Sequence, residues 1–233
     1  MVINDRKKAL LEAIITQHIK TASPVGSNLL VGRGGFKLSP ATIRNEMVDL
    51  EKEGYLTHPH TSAGRIPTEK GYRFYIDNFV KDEDLNDKHK NQLKQMSKAE
   101  KEHLMAVKQV AKEVATLSNG AVVVGFAPRD IYYTGLTNIF RQPEFAELDL
   151  IYNLSEIVDH LDEAVEGIFD KISPDIHILL GNENPFGKGC STILTKYQSD
   201  KEEGLIAILG PMRMNYSHNR ALIKYTQELI TNL

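Results

Sequence analysis

The chain has little of what marks several protein classes. It holds one cysteine, Cys190, in 233 residues, which excludes an internal disulfide framework and a multi-cysteine zinc site. Its purely apolar runs, such as Ala121–Val124, are a few residues long, far short of the ~20 that a membrane-spanning helix needs, so no membrane association is expected. The charged opening Met1-Val2-Ile3-Asn4-Asp5-Arg6-Lys7-Lys8 is not followed by the apolar core of a signal peptide, and a cytoplasmic location is expected. There is no internal repeat, no low-complexity tract and no cofactor motif. What remains is 41% hydrophobic and 25% charged, the composition of an ordinary globular protein, long enough for one large or two small domains.

The net charge of −3 argues against a nucleic-acid partner only as a whole-chain average. Residues 1–82 carry 12 Lys and Arg against 9 Asp and Glu, a net of +3, and the remainder is −6. Such an asymmetry points to two roles in one chain, although +3 over 82 residues is modest and compatible with a chance distribution.

Punctuation along the chain is more informative. Asp5–Thr21 has Leu10, Leu11, Ile14, Ile15 and Ile19 at helical spacings. Ser23-Pro24 reads as an N-cap with proline at the first helical position, opening a short helix through Leu29, Leu30 and Val31 that Gly32, Gly34 and Gly35 end. Ser39-Pro40 repeats the signal. Pro40–Glu53 then places Ile43, Met47 and Leu50 on one face, and Gly54 closes it. Tyr55–His58 and Arg65-Ile66 read as short strands around a polar loop, and Thr68 caps a further helix to about Val80. Three helices and a hairpin in this order predict a winged helix-turn-helix over residues 1–82.

Residues 81–118 are charged, with an apolar stripe at Leu104, Val107, Val110, Ala111, Val114 and Leu117. They predict one long linking helix over 83–118, either a solvated spacer or part of a dimer seam. Residues 119–233 alternate in type. Ala121–Phe126, Ile176–Leu180, Ser191–Tyr197 and Leu205–Leu209 read as strands, and Asn153–Ile172 and Tyr216–Leu233 as helices. The expectation is an α+β domain with a small antiparallel or mixed sheet.

With Ile43, Met47 and Leu50 inward, Ala41, Asn45, Val48 and Lys52 fall on the opposite face of the Pro40–Glu53 helix. In a helix-turn-helix the N-terminus of that helix enters the major groove. Arg44 is chemically suited to guanine and Asn45 to adenine. Thr42 flanks the same turn, small residues at Ser39 and Ala41 permit close approach, and helix N-termini at Ser27 and Ser39 offer backbone N–H groups to phosphate. Lys37, Arg65 and Arg73 are candidate phosphate contacts, and His60, Thr61 and Ser62 belong to the wing. A solvated helix face would look similar without the adjoining hairpin. His58 and His60 lack the further ligands a metal would need, so no metal is expected.

No catalytic residues are expected. Cys190 and His177 sit in apolar segments, where packing is the simpler role. Gly181-Asn182-Glu183-Asn184 and Gly187-Lys188-Gly189 do not fit the spacing of a phosphate loop. Their residues are turn formers, with Glu183 and its flanking Asn side chains expected to cap backbone groups, and Arg213 a candidate partner for that carboxylate.

Ala41-Thr42-Ile43-Arg44-Asn45-Glu46-Met47, then Leu50-Glu51, Gly54-Tyr55-Leu56 and His60-Thr61-Ser62-Ala63-Gly64-Arg65-Ile66-Pro67-Thr68-Glu69-Lys70-Gly71-Tyr72-Arg73, closely resemble the HrcA family of bacterial heat-inducible transcription repressors. Pro24-Val25-Gly26-Ser27 matches as well. Tyr133-Thr134-Gly135, Gln142-Pro143-Glu144-Phe145, Gly181-Asn182-Glu183-Asn184 and Gly210-Pro211-Met212-Arg213-Met214-Asn215-Tyr216 resemble its central and C-terminal motifs.

The resemblance implies a winged-helix domain, a GAF-like domain over 119–233 and a homodimer. The dimer would bind double-stranded DNA at the CIRCE inverted repeat upstream of chaperone operons. Release would come on heat shock, and a GroEL-type chaperonin would favour the active form. No cofactor is implied. One departure is visible: family members carry an inserted dimerising segment, and here only Pro128–Thr134 separates the Ala121–Phe126 strand from Gly135. A winged-helix regulator that senses a small molecule is the alternative the sequence leaves open.

Overall fold

The computed structural model describes residues 3–31, 38–59, 64–146, 157–187, 189–199 and 202–233. The chain divides into two compact units, Met1–Val80 and Lys81–Leu233.

The first unit opens with α1, Asp5–Thr21, whose N-cap Asn4 accepts from the Lys7 amide through its side chain at 2.9 Å. Leu10, Leu11, Ile14 and Ile15 on its inner face are fully buried. Each such side chain contributes about 1.5–3 kcal/mol through removal from water. Ser27–Leu30 forms α2 and Pro40–Lys52 forms α3. The Ser39 hydroxyl caps α3 by accepting from the Thr42 amide at 3.2 Å, with Pro40 at the first helical position. Gly54 follows at φ +81°, the left-handed C′ conformation that glycine adopts without strain. Strands β1, Leu56–Thr57, and β2, Ile66–Pro67, pair antiparallel. Thr68 caps α4, Glu69–Phe79, accepting from the Gly71 amide at 3.1 Å and donating to the Gly54 carbonyl at 2.7 Å. Tyr72 on α4 is buried, and its hydroxyl meets His18 Nδ1 of α1 at 2.6 Å.

The Ser23-Pro24 expectation is corrected here. Helix α2 begins at Ser27 behind Gly26, the Ser23 hydroxyl instead donates to the Thr21 carbonyl at 3.1 Å, and Val25 bridges to Arg65. Extended pairing of Val25 competes with the helical start and wins. Gly32, Gly34 and Gly35 lie outside the described residues.

The second unit begins with two helices, α5 over Asp87–Ser97 and α6 over His103–Ser118, which replace the expected single linking helix. Residues 98–102 carry no apolar side chain beyond Ala99. A break there lets α5 pack against α6 and bury Leu93 beside the Val107, Val110 and Val114 stripe. Strands β3, Ala121–Ala127, β4, Asp130–Thr134, β5, His177–Leu180, β6, Cys190–Gln198, and β7, Glu203–Pro211, form one antiparallel sheet in the order β4-β3-β7-β6-β5. The hairpin from β3 to β4 turns at Pro128-Arg129. Helix α7 spans Leu136–Phe140, with a 3-10 turn at Pro143–Ala146. Helix α8 spans Leu161–Phe169 and α9 spans Tyr216–Thr231. The expected helix over Asn153–Ile172 is thus shorter at its C-terminal end, and its positions 153–156 lie outside the described residues.

One face of the sheet, with Ala121, Val123, Leu194, Leu205, Ala207 and Leu209, packs against Ile139, Leu161, Val165 and Phe169. The alternate residues Val122, Val124, Ile193, Ile206 and Ile208 are equally buried, on the side where α6 and α9 pack. Helices on both faces explain why these strands read as apolar runs despite antiparallel pairing.

Candidate nucleic-acid interface

Helix α3 divides by chemistry. Ile43, Met47 and Leu50 are buried, as their spacing predicts, while Ser39, Pro40, Ala41, Arg44 and Asn45 are exposed around its first turns. Thr42 is half-buried, and its hydroxyl sits 2.9 Å from that of Ser39, within the cap. A small, uncapped-by-packing surface with one guanidinium and one carboxamide therefore surrounds a helix N-terminus. That arrangement can approach a groove closely and hydrogen-bond base edges.

Helix α3 is held by ion pairs that its apolar stripe does not reveal. Glu46 is 5% exposed and pairs with Arg6 of α1. Lys7 Nζ lies 2.8 Å from Glu53 and 3.3 Å from Asp49. The hydrogen bond to Glu53 holds the Lys7 ammonium above its ordinary range against the opposing effect of burial, and Asp49 adds to it. At the same C-terminal end of α3, the Glu51 carboxylate pairs with His58 after β1 and with Arg65 Nε, at 2.8 Å, before β2. The one signal in the sequence was positional: Glu46 falls inside the 43, 47, 50 stripe, where a carboxylate needs a buried partner.

One other expected contact is placed differently. Ser27 opens α2 but is 7% exposed. Its side chain belongs to the packing of the unit, because the four-residue helix turns its first residue inward. Arg73 is half-buried on α4. Lys37, His60, Thr61 and Ser62 lie outside the described residues.

In the second unit, Gly181-Asn182-Glu183 forms a 3-10 turn. The capping expected of this loop falls to Asn184, which is buried. Its Oδ1 accepts from the Phe186 amide at 3.2 Å and from the Thr192 hydroxyl at 2.9 Å, and its Nδ2 donates to the Gly187 carbonyl at 3.2 Å. Arg213 pairs with Glu144 and Gln142 rather than with Glu183. The Cys190 thiol is buried, and burial pushes it up to about 11, which keeps it protonated and unreactive near neutrality. A groove open to solvent, of about 280 Å³, runs beside Lys196, Glu203 and Gln227. Lys196 already pairs with Glu203 there, and Gln227 donates to the Pro174 and Lys196 carbonyls. Among the described residues no three His, Cys, Asp or Glu side chains gather as a metal site, and no helix is long and apolar enough to cross a membrane.

Comparison with known proteins places this geometry. A solved structure titled as that of a hypothetical protein superposes with a TM-score of 0.75 at 18% identity, over 99% of this chain and 98% of that one, and so shares the fold. The heat-inducible transcription repressor HrcA of Lysinibacillus sphaericus is 28% identical over 327 aligned residues, covering 95% of each chain. The HrcA of Carboxydothermus hydrogenoformans is 26% identical over 340, covering 99% of each. Both alignments are longer than the 233 residues of this chain, so each relative holds residues with no counterpart here. The HrcA of Cutibacterium acnes reaches 58% identity over 76 residues, 33% of this chain and 22% of that one. A family model described as the HrcA protein C terminal domain matches residues 70–219, and on that match the chain belongs to the HrcA family.

Proposed function

We propose that this protein is a homodimeric transcription repressor with a winged helix-turn-helix over residues 1–82 and a GAF-like regulatory and dimerising domain over 119–233. Helix α3 enters the major groove of double-stranded DNA. Arg44 and Asn45 read base edges, Ser39 and Ala41 permit close approach, Thr42 flanks the same turn, and the segment from Pro59 to Arg65 lies alongside as the wing. Lys37, Arg65 and Arg73 meet phosphate, and His60, Thr61 and Ser62 belong to the wing surface. The observation that carries this reading is the exposed N-terminal face of α3, bearing Arg44 and Asn45 on a helix otherwise anchored by Ile43, Met47 and Leu50. Membership of the HrcA family supports it.

The operator is a CIRCE-type inverted repeat at chaperone operons. A two-fold protein matches a two-fold site when half-sites lie about one helical turn, or a multiple, apart. Release follows heat stress, and a GroEL-type chaperonin favours the competent form. Marginal stability makes such sensing physically simple, since a loss of about 1–2 kcal/mol changes the folded population several-fold.

The test is a gel-shift titration against the inverted repeat, a single half-site and a scrambled duplex, with and without GroEL, across a temperature range. Preference for the whole repeat that falls on heating and rises with GroEL is the expected result. Equal binding to the scrambled duplex overturns the proposal.

A further inference from the structure

Helix α3 ends with a carboxylate that its own helix disfavours. Glu51 lies in the last turn of α3, Pro40–Lys52, where the negative end of the helix dipole opposes an anion by about 0.3–1 kcal/mol. Two cationic or proton-donating partners offset this. One carboxylate oxygen meets His58 Nδ1 and the other lies 2.8 Å from Arg65 Nε. His58 follows the end of β1 and Arg65 precedes β2, so a single side chain on α3 grips both roots of the hairpin.

The grip extends further. The Arg65 amide donates to the Val25 carbonyl at 2.9 Å, and the Val25 amide donates to the Arg65 carbonyl at 2.9 Å. Val25 is fully buried and leads into α2. Gly64 makes this approach feasible, since a Cβ there would lie 2.5 Å from the Val25 carbonyl carbon. Glu51, Arg65 and Val25 thus form a continuous tie from the end of α3, through the second strand, to the start of α2.

We propose that Glu51 is a positioning residue for DNA recognition. It fixes where the hairpin and the Arg65 guanidinium stand relative to the base-reading face of α3, and so sets specificity without touching DNA. This rests on the DNA-reading role proposed above for α3. An ordinary surface ion pair would be worth little. Here the carboxylate is 22% exposed, the Arg65 side chain 18%, and both partners lie on a different element from Glu51.

The test uses the full chain with Glu51→Gln and Glu51→Ala. Affinity is measured for the inverted repeat and for a scrambled duplex at one salt concentration, and amide hydrogen exchange is followed in the DNA-free protein. The repeat-to-scrambled affinity ratio is expected to fall roughly tenfold, the scale of one charge-assisted hydrogen bond. The Val25 and Arg65 amides are expected to exchange faster, while the Leu11 amide in the α1 core does not change. If the variants merely fold less well, both affinities fall by the same factor and Leu11 exchanges faster too. That result overturns the proposal, as does unchanged exchange at Val25 and Arg65. A wild-type protein with no preference for the repeat defeats the DNA-reading role instead, and the exchange measurement still decides whether Glu51 ties the hairpin to α3.

Discussion

Arg213 and Glu144, sixty-nine positions apart, meet in a two-pronged pair: Nε and Nη2 of Arg213 donate to the two carboxylate oxygens of Glu144, the second at 3.0 Å. Arg213 Nη2 also donates to Gln142 Oε1 at 2.6 Å. The pair joins the turn after β7 to the segment following α7. Two motifs that the sequence presents separately, Gln142-Pro143-Glu144-Phe145 and Gly210-Pro211-Met212-Arg213, are thereby one structural unit.

Arg213→Ala leaves the Glu144 carboxylate without its fork. It is expected to lower stability by about 1–2 kcal/mol, the lower part of the range for losing one partner of a charge-assisted bond, because the pair is only partly buried. Arg213→Lys keeps the charge but not the planar fork, and an intermediate loss is expected. Urea denaturation of the three proteins checks the order.

Gly64→Ala is expected to act through space alone. The added Cβ would press on the Val25 backbone at 2.5 Å, and backbone gives way less easily than a side chain. A loss of about 1–3 kcal/mol is expected, the range for overpacking. Urea denaturation measures the loss, and faster exchange of the Arg65 amide locates it.

His218 gives a dependence on pH. Its Nε2 meets the Leu117 carbonyl at 3.3 Å, and the His89 ring stands 5.4 Å away, edge to face. Burial lowers the His218 pKa below its ordinary 6.5, partly opposed by the Leu117 carbonyl, with His89 lowering it further and Glu83 raising it. A lowered value means that the unfolded chain takes up the proton first. The stabilising contribution is therefore full above about pH 6.5 and is lost as pH falls through the lower folded value. His218→Gln is expected to flatten the stability profile across that interval, as read by thermal unfolding at a series of pH values. An unchanged slope there would show that His218 does not carry this dependence.

Legibility in the sequence followed the range of the interactions. Helices α1, α3 and α4 lie where their local signals place them, because Ser39-Pro40, Gly54 and Thr68 act on neighbouring backbone groups. The buried strands β3 and β7 are apolar on both faces and stand out for that reason, whereas β6 is buried on both faces around Ser191, Thr192 and Thr195. The break at 98–102 carries no glycine or proline and results from α5 folding onto α6, which no local signal records. Strand β4, with its mixed burial and exposed Tyr133, gives no clean alternation. For the candidate interface, the exposure of Asn45 followed from helical rotation. Glu46, Glu51, Arg6 and Lys7 did not, because their partners lie on other elements. A carboxylate on a helix reads as solvated surface until the chain brings a cation to it.

Fluorescence-anisotropy titration of the wild-type protein and Arg44→Ala, on the inverted repeat and on a scrambled duplex of equal length at one salt concentration, tests base reading by α3 most directly. Arg44 is exposed, so its removal leaves the fold intact. The wild-type protein is expected to favour the repeat by about a thousandfold or more. Arg44→Ala is expected to lose about 1–3 kcal/mol of that discrimination while keeping its affinity for the scrambled duplex within a small factor. An Arg44→Ala protein with the wild-type affinity ratio would contradict the assignment of α3 as the element that reads the operator.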